Sequence, residues 1–242
     1  MIFISDSHVC QNNLKNINTY NIFKLVVSKL NTIIDKNIVF LGDNVQDGNN
    51  QSYDLLFDQI NLIKNKNIFM MAGNHDNKSL LELYCKKNNI IYCLDTPKII
   101  ENQNYYFLDS NVKNEDYGMV TQNSLDKLEE HLTQLASNKT IICMHHHAQP
   151  TNDFMDNYII KNNNKVISVL QNYKHKIKYV ISGHTHRYES YDRDGIIYYH
   201  APSSAFNFSF LNNDIDNTVK VEFIQSPSLL TYNQKMEFIN VD

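Results

Sequence analysis

Short apolar runs alternate with longer stretches whose apolar positions recur at helical spacing, and this alternation organises most of the chain. Met1–Ser5, Ile38–Leu41, Ile68–Met71, Ile90–Leu94, Tyr105–Asp109, Thr140–Met144 and Lys178–Ser182 are rich in β-branched and aromatic residues and predict strands. Several are apolar at every position, as expected of strands covered on both faces. Between them, Leu14–Asp35 puts Leu14, Ile17, Phe23, Val26, Val27, Leu30, Ile33 and Ile34 on one helical stripe. Ser52–Lys64, Ser79–Lys87, Ser124–Leu135 and Lys165–Tyr173 predict shorter helices. Strand and helix in alternation imply an α/β fold with largely parallel pairing in its first part. The last quarter differs. Tyr188–Asp192, Gly195–His200 and Val219–Gln225 predict strands joined by tight turns, with Asp194–Gly195 as a hairpin signal. Phe206, Phe208 and Phe210 alternate at strand period, which predicts one buried face, or a pocket wall if the segment folds back over a site. No Pro- or Gly-rich linker, charge block or repeat interrupts the chain, so a single domain over residues 1–242 is expected.

Composition changes this picture in two places. The chain has 15 Tyr and 12 Phe among 242 residues, ample for a core, but only 6 Gly beside 10 His. Average usage would give roughly 17 glycines, so the few present are expected at positions that need them. The net charge of -4 argues against a binder of nucleic acid that relies on a basic surface. It does not argue against a phosphate substrate, because bound metal supplies positive charge locally. Cys10, Cys85, Cys93 and Cys143 form no C-x-x-C pair, and three lie in or beside apolar runs, which predicts buried free thiols in a reducing cytoplasm. The opening residues are too short for a signal segment and no apolar run approaches membrane-spanning length, so no membrane association is expected and the structure is expected to begin at residue 1. The Asn-rich stretches read as loops.

Five polar clusters each follow a predicted strand: Asp6 and His8; Asp43; Asn74, His75 and Asp76; His145, His146 and His147; His184 and His186. In open α/β sheets the carboxyl ends of strands line one edge, and ligands bind there. Seven of the 10 histidines fall in this set. Carboxylate, amide and imidazole together suit borderline divalent metals such as Mn, Fe, Co or Zn. Seven candidate ligands exceed what one tetrahedral ion takes and suit two ions sharing a carboxylate, the arrangement that clamps both oxygens in phosphoryl displacement. The i, i+2 spacing of Asp6–His8 and His184–His186 would, on extended backbone, turn both side chains of each pair the same way. Gly42, Gly73 and Gly183 precede these clusters and are expected to permit close backbone approach or unusual φ.

The motifs D-x-H, G-D, G-N-H-D, H and G-H-x-H, in that order, resemble those of the calcineurin-like metallophosphoesterases, from Asp6 to about residue 210. Within that superfamily the triple His and the "APSS" segment look most like the class III cyclic nucleotide phosphodiesterases. The resemblance implies a four-layer α/β/β/α sandwich of two mixed sheets flanked by helices. It implies one metal held by Asp6, His8, Asp43 and His186, and a second by Asp43, Asn74, His145 and His184. His145 is favoured over His146, although Ala148 stands where many relatives have proline. His146 and His147 then face the substrate or pack beside the site. A hydroxide between the metals would attack phosphorus, with His75 protonating the leaving alkoxide or binding a phosphate oxygen and Asp76 orienting His75. The expected substrate is a small phosphodiester, with cyclic AMP the candidate. Alternatives are a phosphomonoester, a glycerophosphodiester, a nucleotide–sugar diphosphate and, remotely, a non-catalytic scaffold.

Other candidates have plainer readings. Asp47 is expected to cap a loop, His131 and His175 to be solvated, and His200 to lie in the core or on the surface rather than at the site. The long polar segment Ala148–Asn164 is expected to face the substrate.

Overall fold

The strands that are apolar at every position serve two cores at once. In β1 (Ile2–Ile4), Ile2 and Ile4 pack with Phe23, Val26 and Leu30, whereas Phe3 packs with Tyr105, Phe107 and Ile141. The same split runs through β2 (Asn37–Phe40), whose Ile38 and Phe40 join the first group and Val39 the second. The computed structural model describes all residues except 137, 152, 214–217, 226, 234 and 242, with backbone only for 209–213, 218–221, 233, 235 and 238.

Two six-stranded sheets result. The first continues from β1 and β2 through β3 (Asn67–Met70) to β4 (Ile91–Tyr92), all parallel. Its other edge is the antiparallel pair β13 (Ser228–Asn233) and β14 (Lys235–Asn240). The second has β6 (Gln103–Leu108), β7 (Thr140–Met144), β8 (Ile177–Ser182) and β10 (Ile196–His200) in parallel, with β5 (Thr96–Ile100) and β9 (Glu189–Arg193) as antiparallel edges. Helices α1 (Thr19–Leu30), α2 (Asn50–Ile60) and α3 (Lys78–Lys87) cover the first sheet. Helices α4 (Gln122–Gln134) and α5 (Asn163–Asn172) cover the second. Phe3, Val39, Phe107, Cys143 and Ile181 fill the space between the sheets, which makes the molecule the α/β/β/α sandwich that the motifs implied. A separate hairpin, β11 (Phe206–Asn213) and β12 (Thr218–Gln225), pairs antiparallel outside both sheets.

Several boundaries differ from the sequence reading, for identifiable reasons. The first helix starts at Thr19 rather than Leu14, because Leu14 and Ile17 bond each other's backbone around Lys15 and Asn16, both at positive φ. The Asn18 side chain then caps α1, and Asn49 and Asn77 cap α2 and α3 in the same way, so part of the Asn enrichment is capping. Ile34 lies past the helix and is exposed. Strand β5 contains Pro97, which only an edge strand tolerates, and its alternating burial lacks the continuous apolar run that marks the other strands. Strands β13 and β14 follow Val219–Gln225, beyond the last strand that the pattern predicts. His131 is half-buried rather than solvated, its ring 5.2 Å from that of Tyr106, and burial lowers its pKa. His175 is exposed, as expected. Asp194 (φ 54°) and Gly195 (φ 84°) form the predicted turn between β9 and β10. The four cysteines are free and buried. Among the described residues no helix is long and apolar enough to cross a membrane. The Phe210 side chain lies outside the described residues.

Candidate metal centre

The parallel strands end level, so the turns that follow them meet. Ile4, Phe40 and Met70 are in register across the first sheet, and Leu108, Met144 and Ser182 across the second. Immediately beyond these ends the backbone leaves the strand conformation. Asp6 (φ 52°), His8 (φ 43°), Asp43 (φ 50°), His184 (φ 68°) and His186 (φ 58°) are all left-handed, a state that costs about 1–3 kcal/mol for a non-glycine residue and persists where surroundings over-determine it. Here they do. Asp6 N donates to the Gly42 carbonyl at 3.1 Å, His8 N to the Asp43 carbonyl at 2.9 Å, and His184 N to Asp6 Oδ2 at 3.0 Å. Asp6–His8 and His184–His186 therefore do not lie on the extended backbone expected from their spacing. Each pair converges from left-handed, not extended, backbone.

The glycines make that approach possible. A Cβ on Gly73 would stand 2.2 Å from Asp43 Oδ1 and 2.3 Å from Asp43 N, and one on Gly183 would stand 2.0 Å from Ser5 Oγ. At Gly42 a Cβ would stand 2.6 Å from Gly73 N, on a backbone already at φ 103°.

The imidazoles are held by their outer nitrogens. His145 Nδ1 donates to the Leu41 carbonyl at 2.9 Å and His186 Nδ1 to the Phe206 carbonyl at 2.8 Å, while His8 Nδ1 meets Gln46 Oε1 at 2.8 Å. A ring nitrogen bonded to a carbonyl carries the proton, which leaves Nε2 as a lone pair. Those lone pairs converge on other acceptors. Nε2 of His8 and His186 face each other at 3.2 Å. His145 Nε2 lies 3.0 Å from Asn74 Oδ1 and 3.4 Å from Asp43 Oδ2, His8 Nε2 3.6 Å from the same carboxylate oxygen, and His186 Nε2 3.5 Å from Asp6 Oδ1. His184 Nε2 is buried without a hydrogen-bond partner. With the rings neutral, this is a buried cluster of acceptors without donors, which is unfavourable unless cations sit among them; without metal, a second proton on His145 takes part of that place. The donor set fits divalent metal, and Asp43 is common to the groups Asp6/Asp43/His145 and His8/Asp43/His75, whose ligand atoms lie within 4.8 Å of one another.

Charge reinforces this. Burial would raise the Asp43 pKa, yet the imidazoles of His145, His75 and His8 hold it well below the usual carboxylate range. Burial opposes charge on His145 too, but the Asp43 carboxylate prevails and pushes its pKa up to about 9, so a proton stands there in the absence of metal. Burial holds His8 and His184 well below the ordinary imidazole value and His186 below it, and neutral imidazole is the form that binds metal.

The remaining motif residues take distinct places. His75 N donates to Asp43 Oδ1 at 2.9 Å, and its ring meets that of His8 edge-on at 4.8 Å. Its Nδ1 donates to the Gln46 carbonyl at 2.7 Å, so Gln46, not Asp76, fixes the imidazole. Asp76 instead braces two loops. Its Oδ2 accepts from Gly73 N at 2.9 Å and Asn44 Nδ2 at 2.8 Å, and its Oδ1 accepts from the Tyr53 hydroxyl at 3.1 Å. Burial and the Asp43 charge push its pKa up to about 6. His146 meets Ser110 Oγ through Nδ1 at 2.9 Å, and its ring lies 4.5 Å from that of His184. Of the pair, it is His145 that reaches Asn74 and Asp43. His147 Nε2 meets Asp156 Oδ1 at 3.2 Å. Asp47 accepts from Asn49 N at 3.4 Å, a structural role. His200 is buried behind the site against Tyr191.

A cavity of about 320 Å³ opens above this floor. One wall is Phe154, Met155 and Tyr158, carried by a short 3-10 helix within the segment expected to face the substrate. The other is Phe208 and Phe223 of the β11–β12 hairpin, with Phe208 stacked on His186 at 4.2 Å between ring centres. Asp116, Phe223 and Gln46 were not singled out from sequence. The aromatic residues spaced through the polar "DFMDNY" were a signal available for the first wall.

The calcineurin-like phosphoesterase family model matches residues 1–188. The chain is 28% identical over 230 residues to a probable cyclic nucleotide phosphodiesterase of Xenorhabdus bovienii, covering 91% of this chain and 90% of that one. It is 26% identical to the 3',5'-cyclic adenosine monophosphate phosphodiesterase CpdA of Haemophilus influenzae, over 86% of this chain and 77% of that one. Among solved structures, a dimetal phosphatase from Danio rerio superposes with a TM-score of 0.63 at 14% identity, over 99% of this chain and 97% of that chain. That last likeness concerns the fold.

Proposed function

The chain belongs to the calcineurin-like phosphoesterase family and is a hydrolase of phosphoric esters, and from that premise we propose a dinuclear-metal phosphodiesterase acting on a small cyclic nucleotide, 3',5'-cyclic AMP first. The observation that carries this reading is the acceptor-only floor around Asp43 beneath two aromatic walls. Among the described residues lining the cavity there is neither Lys nor Arg, and Asp116 adds an acid. A diester monoanion could be neutralised by two dications held in that floor, whereas a monoester dianion lacks the extra cationic partners it needs. Phe154, Tyr158, Phe208 and Phe223 offer faces to a nucleobase, and stacking is worth about 1–3 kcal/mol per base. The Xenorhabdus relative, a probable cyclic nucleotide phosphodiesterase, and the Haemophilus relative, a cyclic AMP phosphodiesterase, point the same way.

One cation is assigned to Asp6, His8, Asp43 and His186, the other to Asp43, Asn74, His145 and His184. The mixed nitrogen and oxygen set suits Mn, Fe, Zn or Co. Bound there, two dications supply Lewis acidity to the phosphoryl group and lower the pKa of water towards about 7. The chain's own part is orientation and proton transfer. His75 lines the cavity with Nδ1 tied to Gln46, so Nε2 is the atom free to protonate the leaving alkoxide. Burial disfavours its charge, but Asp43, the Gln46 carbonyl, Asp116 and Asp76 together outweigh this and raise its pKa in the metal-free protein. The buried free thiols support a reducing, cytoplasmic setting.

The test is a substrate panel on protein stripped by chelation and reloaded with Mn²⁺: cyclic AMP, bis(p-nitrophenyl) phosphate and p-nitrophenyl phosphate. The reading expects metal-dependent turnover, with cyclic AMP preferred over the monoester about tenfold or more. A preference for the monoester, or no metal-dependent turnover, contradicts it.

A further inference from the structure

The cavity wall formed by the 3-10 helix Phe154–Tyr158 has little to hold it in its own sequence, since it is a single short turn within a polar loop. Two carboxylates, one at its base and one within it, tie it to the turns that carry the metal-facing histidines. Asp153 caps the turn, its Oδ1 accepting from Met155 N at 2.7 Å, and its Oδ2 pairs with Arg187 Nη2. Arg187 directly follows His186 and is itself pinned by Glu189 Oε1 at 3.0 Å. Three residues along, Asp156 Oδ1 accepts from Thr151 N at 2.9 Å and meets His147 Nε2 at 3.2 Å, two residues after His145. The same turn then presents Phe154, Met155 and Tyr158 to the cavity. Neither Arg187 nor Asp153 lines the cavity.

We propose that Arg187, through its pair with Asp153, is a positioning residue for substrate selection: it sets the distance between the aromatic wall and the metal-facing floor. This rests on the proposed function only for the identity of the substrate. The physical basis is that Asp153 Oδ2 and Glu189 Oε1 meet the same nitrogen, Nη2, so Arg187 bridges the turn to β9 through one charged group whose charge Lys can in part supply. Asp153 acts at once as helix cap and as ion-pair partner, so the backbone of the turn is oriented by the same carboxylate that Arg187 holds. A substrate that fills the space between the two aromatic walls depends on that distance. One that is bound by its phosphate alone does not.

The experiment compares Arg187→Gln, Arg187→Lys, Asp153→Asn and the Arg187→Gln/Asp153→Asn double variant with the wild type, all Mn²⁺-loaded. Asp153→Asn keeps an oxygen that can cap the turn but removes the ion pair. The proposal expects KM for cyclic AMP to rise about tenfold in Arg187→Gln and in Asp153→Asn, with kcat within about threefold and metal content unchanged. The double variant should be no worse than either single one, because the two residues act as a unit, and Arg187→Lys should recover part of the loss. A second readout needs no substrate: chymotrypsin should cut after Phe154 or Tyr158 about tenfold faster in Arg187→Gln, detected as new termini by mass spectrometry. An unchanged cleavage rate, or single-variant losses that add in the double, overturns the proposal. A wild type that turns over bis(p-nitrophenyl) phosphate but no cyclic nucleotide overturns the substrate reading alone, and the cleavage rates then decide the role of Arg187.

Discussion

The floor and the walls of the cavity are built by opposite strategies. On the floor, Asp6, His8, Asp43, His184 and His186 are almost completely buried, sit in left-handed backbone, and are each held by further bonds to neighbouring turns. In the walls, half-buried aromatic residues ride on a single 3-10 turn and on a hairpin outside both sheets, held by ring contacts and an ion pair. A floor that must bring acceptor against acceptor needs rigidity, and the sandwich supplies it from two sheets at once. A wall that selects a substrate needs shape, and one turn of chain can supply that. Changes to the floor should therefore act on metal content and kcat, and changes to the walls on KM.

The largest effect is expected at Asp43, the carboxylate assigned to both proposed cations. Asp43→Asn is expected to lower kcat by about 10³-fold or more and to reduce bound metal, read by elemental analysis. Next is His75→Ala, expected to cost about 10²–10⁴ in kcat while metal content persists, which would separate proton transfer from ligation on the same floor. A His75→Ala enzyme fully active on an ester with a poor leaving group would remove His75 from that role. A smaller effect is expected at the wall. Phe208→Ala should raise KM for cyclic AMP about tenfold with kcat little changed, since it removes one stacking face; an equal fall in kcat would place Phe208 with the floor instead.

Much of the floor was legible in the sequence, because its chemistry lies in residue types placed directly after apolar strands. Asp6, Asp43, Asn74 and the histidines needed only the rule that parallel strands end along one edge. The reason for their convergence was not legible. Spacing alone cannot tell extended from left-handed backbone, and it is the contacts from Gly42, Gly73 and Asp6 that hold the latter. Asp76 shows the same limit. Its neighbour in sequence is His75, but its carboxylate is used up by Gly73, Asn44 and Tyr53. The walls were legible only as segments. Phe206, Phe208 and the long polar loop could be marked, whereas Phe223, Asp116 and the Arg187–Asp153 pair depend on which distant turns meet. The false start of α1 has a local cause, since Leu14 and Ile17 fit a helical stripe but are spent on a turn and on the cluster with Ile22, Ala205 and Phe206.

The smallest predicted effect is a proton count. Without metal, His145 has a pKa of about 9 and is protonated at pH 7.5. Metal requires the neutral ring, so binding should release about one proton from this group, and affinity should increase with pH until about pH 9. Calorimetry in buffers of different ionisation enthalpy reads this directly. No proton release would mean that His145 is already neutral or is not a ligand.

Whether the floor holds two cations is decided by a metal titration of chelated protein with turnover followed at each point. Two Mn²⁺ per chain are predicted, with hydrolysis of cyclic AMP rising to its full rate only as the second ion binds. Full activity with one ion per chain or none, or saturation at a single ion, would contradict a floor built around a shared Asp43.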